Sequence, residues 1–322
     1  MIAVVGLGLI GGSLALRLVE RGHEVAACDP DPDTRAAAAG AGIDVHDAAG
    51  PWLGDADLVV VAAPLDAMPD VFATAARFGD GTVLDVGSVK ASVHRAAEEA
   101  GLGGRFVGAH PMTGTEQSGF AAASSSLLVG ATWAVTFAPE TDEERLLSVV
   151  RLLCRELSAR VTALEPAVHD RSVAVVSHGP HVAASMLLAA LGADEHPAVS
   201  ARLAAGSFRD GTRVAGTNTA RTANMVLENR VAIADYLRRL SADLEDLLDV
   251  LDDDAAVVAW FDKARTARST WLTPTDDESV ERVRTLAELA RWCADGWVVV
   301  GEDGQDLLVR RGVLNTAFQR EG

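Results

Sequence analysis

Two sets of residues in this chain could do chemistry. The first is GLGLIGGS, where Gly6, Gly8 and Gly11 stand in G-x-G-x-x-G spacing directly after the apolar run MIAVV. Glycines so spaced allow a tight turn, close approach of a pyrophosphate, and close packing of a helix on a strand. The helix N-terminus, carrying Leu9 and Ile10, would then face the phosphates. The triplet alone is a weak signal, and a ligand-free glycine turn is the plain alternative. What favours a dinucleotide is the next apolar run, HEVAACD, which ends in Asp29. That is near the spacing of roughly 20 residues expected of an acid that bonds the adenosine ribose hydroxyls. A carboxylate repels a ribose phosphate, so the expected cofactor is NAD, while Arg35 close by leaves NADP open. Ala62, Ala63 and Pro64, closing ADLVVVAAP, are small residues where the cofactor backbone would pass.

The second set lies beyond the later strands, where ligands of open α/β sheets bind. The run RFVGA leads into His110 of GAHPMTGTEQSGF, and LDVGSVK leads into Ser88 and Lys90. Taken alone, a histidine before proline is a turn residue, and Lys90 reads as a residue that closes a loop. Further along come SHGPH, with His178 and His181, and GSFRDGTRVAG, with Arg209, Asp210 and Arg213. The two histidines have the spacing of metal ligands, but no neighbouring carboxylate or cysteine completes a set, so no metal is expected. His178 reads as a structural hydrogen bonder.

These residues must be positioned by a fold. Residues 1–164 alternate short β-branched runs with helical stretches: MIAVVG, HEVAACD, ADLVVVAAP, GTVLDVG, RFVGAH, TWAVTF and ARVTAL. This is the βαβ pattern of an open parallel sheet whose last strands can run differently. Residues 165–255 change to helical periodicity, including one long amphipathic stretch over 225–251. The expected class is therefore α/β, an N-terminal Rossmann-like dinucleotide-binding domain followed by an all-helical C-terminal domain. The amphipathic stretch suggests a homodimer. Residues 256–322 form an extension of unassigned role: a polar break, TPTDDES, with Ser or Asp candidates to cap a helix over ERVRTLAELARWCADG, then two strands around a GEDGQ turn.

Composition narrows the partners. A chain of 322 residues, 49% hydrophobic and 23% charged, suits two ordinary cores. The net charge of -18 argues against nucleic acid, and an anionic small-molecule substrate must be gripped by local arginines against that field. Three scattered cysteines support neither a disulfide framework nor zinc. No apolar run reaches the roughly eighteen uninterrupted residues of a membrane span, and the N-terminus has no basic signal region, so a cytoplasmic location is expected.

In this order and spacing, GLGLIGGS, DVGSVK, GAHPMTGTEQSG, VVSHGPH and FRDGTRVAG resemble the prephenate dehydrogenase family, which includes arogenate and cyclohexadienyl dehydrogenases. The resemblance covers roughly residues 1–255. It implies an NAD- or NADP-dependent oxidative decarboxylation that gives an aromatic ring, in tyrosine biosynthesis. By the same resemblance, His110 is the catalytic histidine that takes the ring hydroxyl's proton, and Ser88 contacts both this histidine and the substrate. Arg213 binds a substrate carboxylate, His181 is a pocket histidine, and Thr115, Glu116 and Asp210 line or gate the pocket.

The sequence also departs from the family. The usual Ser-Asp-Pro and following tryptophan are replaced by Thr217, Asn218, Thr219 and Thr222, Gly179 stands at the apolar position of SHxPH, and Thr113 follows HPM. These departures lie around the expected pocket and admit a second substrate, an amino-substituted prephenate such as 4-amino-4-deoxyprephenate. An alternative of another class is a nucleotide-sensing protein without turnover, and joint retention of Ser88, His110 and Arg213 speaks against it.

Overall fold

The computed structural model describes residues 1–113, 117–272 and 279–311. The chain divides into two units, one of Met1–His169 with the C-terminal segment, the other of Asp170–Leu272.

In the first unit, β1 (Ile2–Val5), α1 (Leu9–Glu20), β2 (Val25–Cys28), α2 (Pro32–Gly40) and β3 (Asp44–His46) are followed by β4 (Leu58–Val61), α3 (Met68–Phe78), β5 (Thr82–Asp85), α4 (Ala91–Glu99) and β6 (Phe106–Pro111). The strands pair in parallel in the order β3-β2-β1-β4-β5-β6, the doubly wound arrangement of a dinucleotide-binding sheet. β1 and β4 are buried on both faces, which is why they read as continuous apolar runs instead of alternating ones. Their two-residue period still divides them between two cores. Ile2, Val4, Leu58 and Val60 pack on the side of α1, while Ala3, Val5, Val59 and Val61 pack with Met68, Phe72, Val93 and Ala97 of α3 and α4. β3 is missing from the runs read above because its three edge residues, Asp44 exposed and Val45 and His46 half-buried, carry no hydrophobic period.

The sheet continues through β7 (Thr132–Thr136), α5 (Glu143–Leu157) and β8 (Arg160–Leu164). β7 runs antiparallel to β6, and β8 parallel to β7. α5 begins where the Asp142 carboxylate accepts the Arg145 N–H, and Glu143 and Glu144 in its first turn suit the helix dipole.

The second unit is helical. α6 (Pro166–Val173) begins in the first unit and leads through a π-helical turn, Ala174–His178, into α7 (Gly179–Gly192). α8 (Pro197–Leu203), α9 (Gly206–Thr212), α10 (Thr219–Glu228), α11 (Arg230–Asp249) and α12 (Asp254–Trp271) follow. By length and composition the run Pro166–Gly192 is apolar enough to cross a bilayer. Counting uninterrupted apolar residues overlooks this, because the run is broken by the buried His169, Asp170 and His178. The stretch 225–251 is likewise two helices instead of one. Asn229 sits between α10 and α11, and its buried side-chain amide donates to Asp170 O at 2.9 Å and to His178 Nδ1 at 3.0 Å. A polar side chain committed to two partners outside its own helix outweighs the apolar period around it.

The C-terminal segment returns to the sheet as β9 (Val280–Val283), α13 (Leu286–Ala294), β10 (Trp297–Asp303) and β11 (Asp306–Arg311). β10 pairs antiparallel with β8 through Val299 and Val161, and β11 lies between β10 and β9, also antiparallel. The expected hairpin is present, and the helix expected over 281–296 is confined to Leu286–Ala294. ERV is strand, and the helix starts only after Thr285, which forms a capping box with Glu288. The antiparallel ladder with β11 makes these residues a strand, and Arg282 and Arg284 pair with Asp306 from its edge.

The turn from β1 into α1 leaves room only for glycine at two positions. Gly6 has φ +96°, and a Cβ there would lie 2.7 Å from Ala62 O. A Cβ on Gly11 would lie 2.0 Å from Gly6 O and 2.7 Å from Ala62 Cβ. Gly11→Ala should therefore cost on the order of 3 kcal/mol through overpacking against backbone. This would appear as a lower urea midpoint, and an unchanged midpoint would show that the loop yields freely.

Candidate active site

The register of the parallel strands aligns Cys28, Val5, Val61, Asp85 and Gly108 in one row across β2, β1, β4, β5 and β6. Just past this row lie Asp29, Gly6, Ala63 with Pro64, Ser88 and His110, so five parallel strands deliver these residues to one edge of the sheet.

The glycine loop fits a dinucleotide. Gly6 and Gly11 bring α1 close to β1 and β4, whereas nothing lies within 4 Å of the Cβ position of Gly8, which leaves its backbone open to a phosphate. Gly8 caps α1, Leu9 and Ile10 open it, and its first turn carries no acid, so the N–H end is electropositive and its first donors have no helical partner. Asp29 is held in place: its Oδ2 accepts Leu7 N–H at 2.8 Å and its Oδ1 accepts Asp31 N–H at 3.0 Å. Arg35, the residue that left NADP open, donates to Asp29 O and Pro30 O and pairs with Asp47 at 3.2 Å. Ala63 is half-buried and Pro64 exposed at the end of β4.

At the other end of the row, Lys90 is fully buried. Its Nζ pairs with the buried Asp85 carboxylate and donates to Ala109 O at 2.7 Å, while Asp85 Oδ2 also accepts Gly87 N–H at 2.8 Å. Burial pushes the Asp85 carboxyl up, against the pull of the Lys90 ammonium. Removing either partner of such a pair costs about 3–5 kcal/mol. The pair ties the loop that carries Ser88 to the strand residue that precedes His110. Ser88 and His110 are both half-buried. His110 Nδ1 lies 3.0 Å from Nε2 of His169, a residue only 1% exposed in α6.

In the second unit, His181 is half-buried in the first turn of α7. Burial holds its pKa below the usual histidine range, and the charges of Arg221 and Arg213 add to this. Thr217 Oγ1 stands 3.5 Å from His181 Nδ1 and 3.0 Å from Thr222 Oγ1, so two of the departures noted above form a small hydroxyl cluster beside this ring. Asn218 caps α10 by accepting Arg221 N–H at 3.0 Å. Arg213 is exposed on the turn after α9, and Asp210 pairs with Arg209 at 3.1 Å. Thr115 and Glu116 lie outside the described residues. Among the described residues no group of side chains could hold a metal ion.

Sequence reasoning passed over His169, Asp85 and Asn229, and gave Lys90 only a loop. No periodicity marks a pair such as His110 and His169, 59 residues apart. A lysine and an aspartate on one short apolar loop were a readable hint.

Comparison with known proteins shows the family and the fold. The family described as "Prephenate dehydrogenase, nucleotide-binding domain" matches residues 14–163, and "Prephenate dehydrogenase, dimerization domain" matches residues 165–260. The first match begins after the glycine loop, which therefore stands on its own geometry. A prephenate dehydrogenase of Bacillus subtilis (strain 168) is 31% identical over 267 residues, 79% of this chain and 71% of that protein. Among solved structures, Synechocystis arogenate dehydrogenase has a TM-score of 0.75 at 26% identity, covering 84% of this chain and 99% of that one. Prephenate dehydrogenase from A. aeolicus, in complex with hydroxyphenyl propionate and NAD+, has a TM-score of 0.76 at 27% identity, covering 84% and 97%. Its sheet edge, its glycine loop and these relatives together identify the chain as a member of the prephenate dehydrogenase family of NAD(P)-dependent dehydrogenases.

Proposed function

We propose that this chain oxidatively decarboxylates prephenate or arogenate with NAD. The observation that carries the reading is His110 standing on the same sheet edge as the glycine loop and Asp29. NAD, when bound, supplies the hydride acceptor. The N-terminus of α1 with Gly8, Leu9 and Ile10 holds the pyrophosphate, Asp29 the adenosine ribose hydroxyls, and Ala63 and Pro64 leave room for the cofactor backbone.

In this reading His110 takes the ring hydroxyl's proton at Nε2 while hydride leaves the carbon that bears this hydroxyl. The bond to the ring carboxylate then breaks, its electron pair enters the ring, carbon dioxide departs, and the ring oxygen takes its proton back from His110. Ser88 hydrogen-bonds the hydroxyl and keeps it directed at His110. The planar fork of Arg213 grips a substrate carboxylate with two hydrogen bonds. His181, whose pKa burial holds below the usual histidine range, can donate or accept toward the substrate side chain, and Asp210, Thr115 and Glu116 take the pocket role that the family resemblance implies.

A second reading of the substrate draws on one observation. Thr217 and Thr222 put two hydroxyls near His181, at positions where the family carries other residues. A polar lining of this kind suits an amino-substituted prephenate such as 4-amino-4-deoxyprephenate. Val176, Met186, Leu187, Leu203 and Leu248 expose apolar surface in the unit that matches a dimerization domain, and we read them as part of a homodimer interface.

Absorbance of reduced nicotinamide, followed with prephenate, arogenate and 4-amino-4-deoxyprephenate in turn, tests the reading, and silence with all three would sink it. His110→Asn should lower kcat by roughly 10²–10⁴-fold with little change in NAD binding; unaltered turnover would remove His110 from the chemistry. Arg213→Ala should raise KM for the substrate by roughly 10–100-fold, the loss of a charge-assisted hydrogen-bonded pair, and an unchanged KM would refute its role. Asp29→Ser should raise KM for NAD about tenfold and improve use of NADP relative to NAD. No change in that ratio would assign the preference elsewhere.

A further inference from the structure

We infer that His169 is a positioning residue for His110, fixing which ring nitrogen of the base carries the proton. The inference rests on reading His110 as the base. His110 Nδ1 and His169 Nε2 are 3.0 Å apart, with the rings inclined at 68° and their centroids 5.2 Å apart, so the edge of one imidazole meets the edge of the other. At that distance the two nitrogens share one proton, one donating and the other accepting.

The direction follows from chemistry and burial. A histidine that takes a proton at Nε2 must offer a lone pair there, so its Nδ1 carries hydrogen and donates. His169 Nε2 must then accept, which makes His169 the neutral Nδ1–H tautomer. Its burial, at 1% exposure, favours that neutral state, because a charged imidazole would be stripped of water. α6 fixes the backbone that carries the ring, His169 N–H donating to Glu165 O at 3.0 Å. When His110 becomes an imidazolium, its Nδ1–H keeps the same acceptor, and the positive charge stays on the less buried ring.

Many histidine bases are oriented by a carboxylate in this place. A neutral imidazole does the same orienting without adding a negative charge, so it stabilises the protonated base less strongly. The base is thereby aimed with no carboxylate placed at its Nδ1.

Selective 15N labelling of histidine tests the tautomer without reference to any substrate. The unprotonated His110 should carry hydrogen on Nδ1 and none on Nε2, and the Nε2–H tautomer would overturn the inference. In turnover assays, His169→Leu removes the acceptor and should lower kcat on the order of tenfold or more, with KM for substrate and for NAD within about threefold. His169→Gln places an amide oxygen where Nε2 stood and should restore most of the rate. A wild-type rate in the leucine variant, or a folded glutamine variant as slow as the leucine one, would overturn it. In a His110→Asn background the leucine substitution should have no further effect, and an equal loss there would assign His169 to another task. If the wild type turns over none of the substrates, the proposed function fails while the tautomer measurement still decides this point.

Discussion

Cys28, Val5, Val61, Asp85 and Gly108 share one row across five parallel strands, and the residues with chemistry to do follow directly past it. Parallel pairing makes this possible, because helical crossovers return each strand to the same starting edge and all of them finish at the other. It also makes the arrangement intolerant. A one-residue slip in β6 would turn His110 to the opposite face and exchange the two cores that the alternating residues serve. The glycines at 6 and 11 belong to the same constraint, since they let α1 start close enough to the row for its N–H end to serve a phosphate.

The buried Asp85–Lys90 pair sits where that constraint is most exacting. An ion pair in a dry interior is often no more stable than apolar side chains of similar size. What this pair contributes is connection: Gly87 N–H on one side and Ala109 O on the other are tied to a single charge pair, so the chain segments that carry Ser88 and His110 leave the sheet from fixed points. His169 then meets the His110 ring from outside the sheet. Backbone and ring of one histidine are thus set by different elements.

In the helical unit the chemistry is quieter and more distinctive. Burial, with the charges of Arg221 and Arg213, holds the pKa of His181 below the usual histidine range, and Thr217 and Thr222 place hydroxyls beside its ring. In a chain of net charge -18, Arg213 and Arg221 add positive charge beside this ring. The C-terminal strands do something different: they continue the sheet past β8 and cover an edge that would otherwise present unpaired backbone groups.

Much of this was legible in the residues. The glycine spacing, Asp29 and the alternation of apolar runs with helical stretches are local patterns, each set by the conformational needs of a few consecutive residues, and they announced the sheet, the cofactor cradle and the edge that carries Ser88 and His110. The break at Asn229, the strand at Val280–Val283 and the small edge strand β3 were not legible, because partners distant in sequence override or replace local preference there. The same holds for the partners of the candidate base. Sequence by itself determined which residues could react and on which strands they stand; only the tertiary structure decided that Lys90 would grip Ala109 and that His169 would face His110, since a hydrogen bond between residues far apart in the chain exists only once folding has brought them within 3.0 Å.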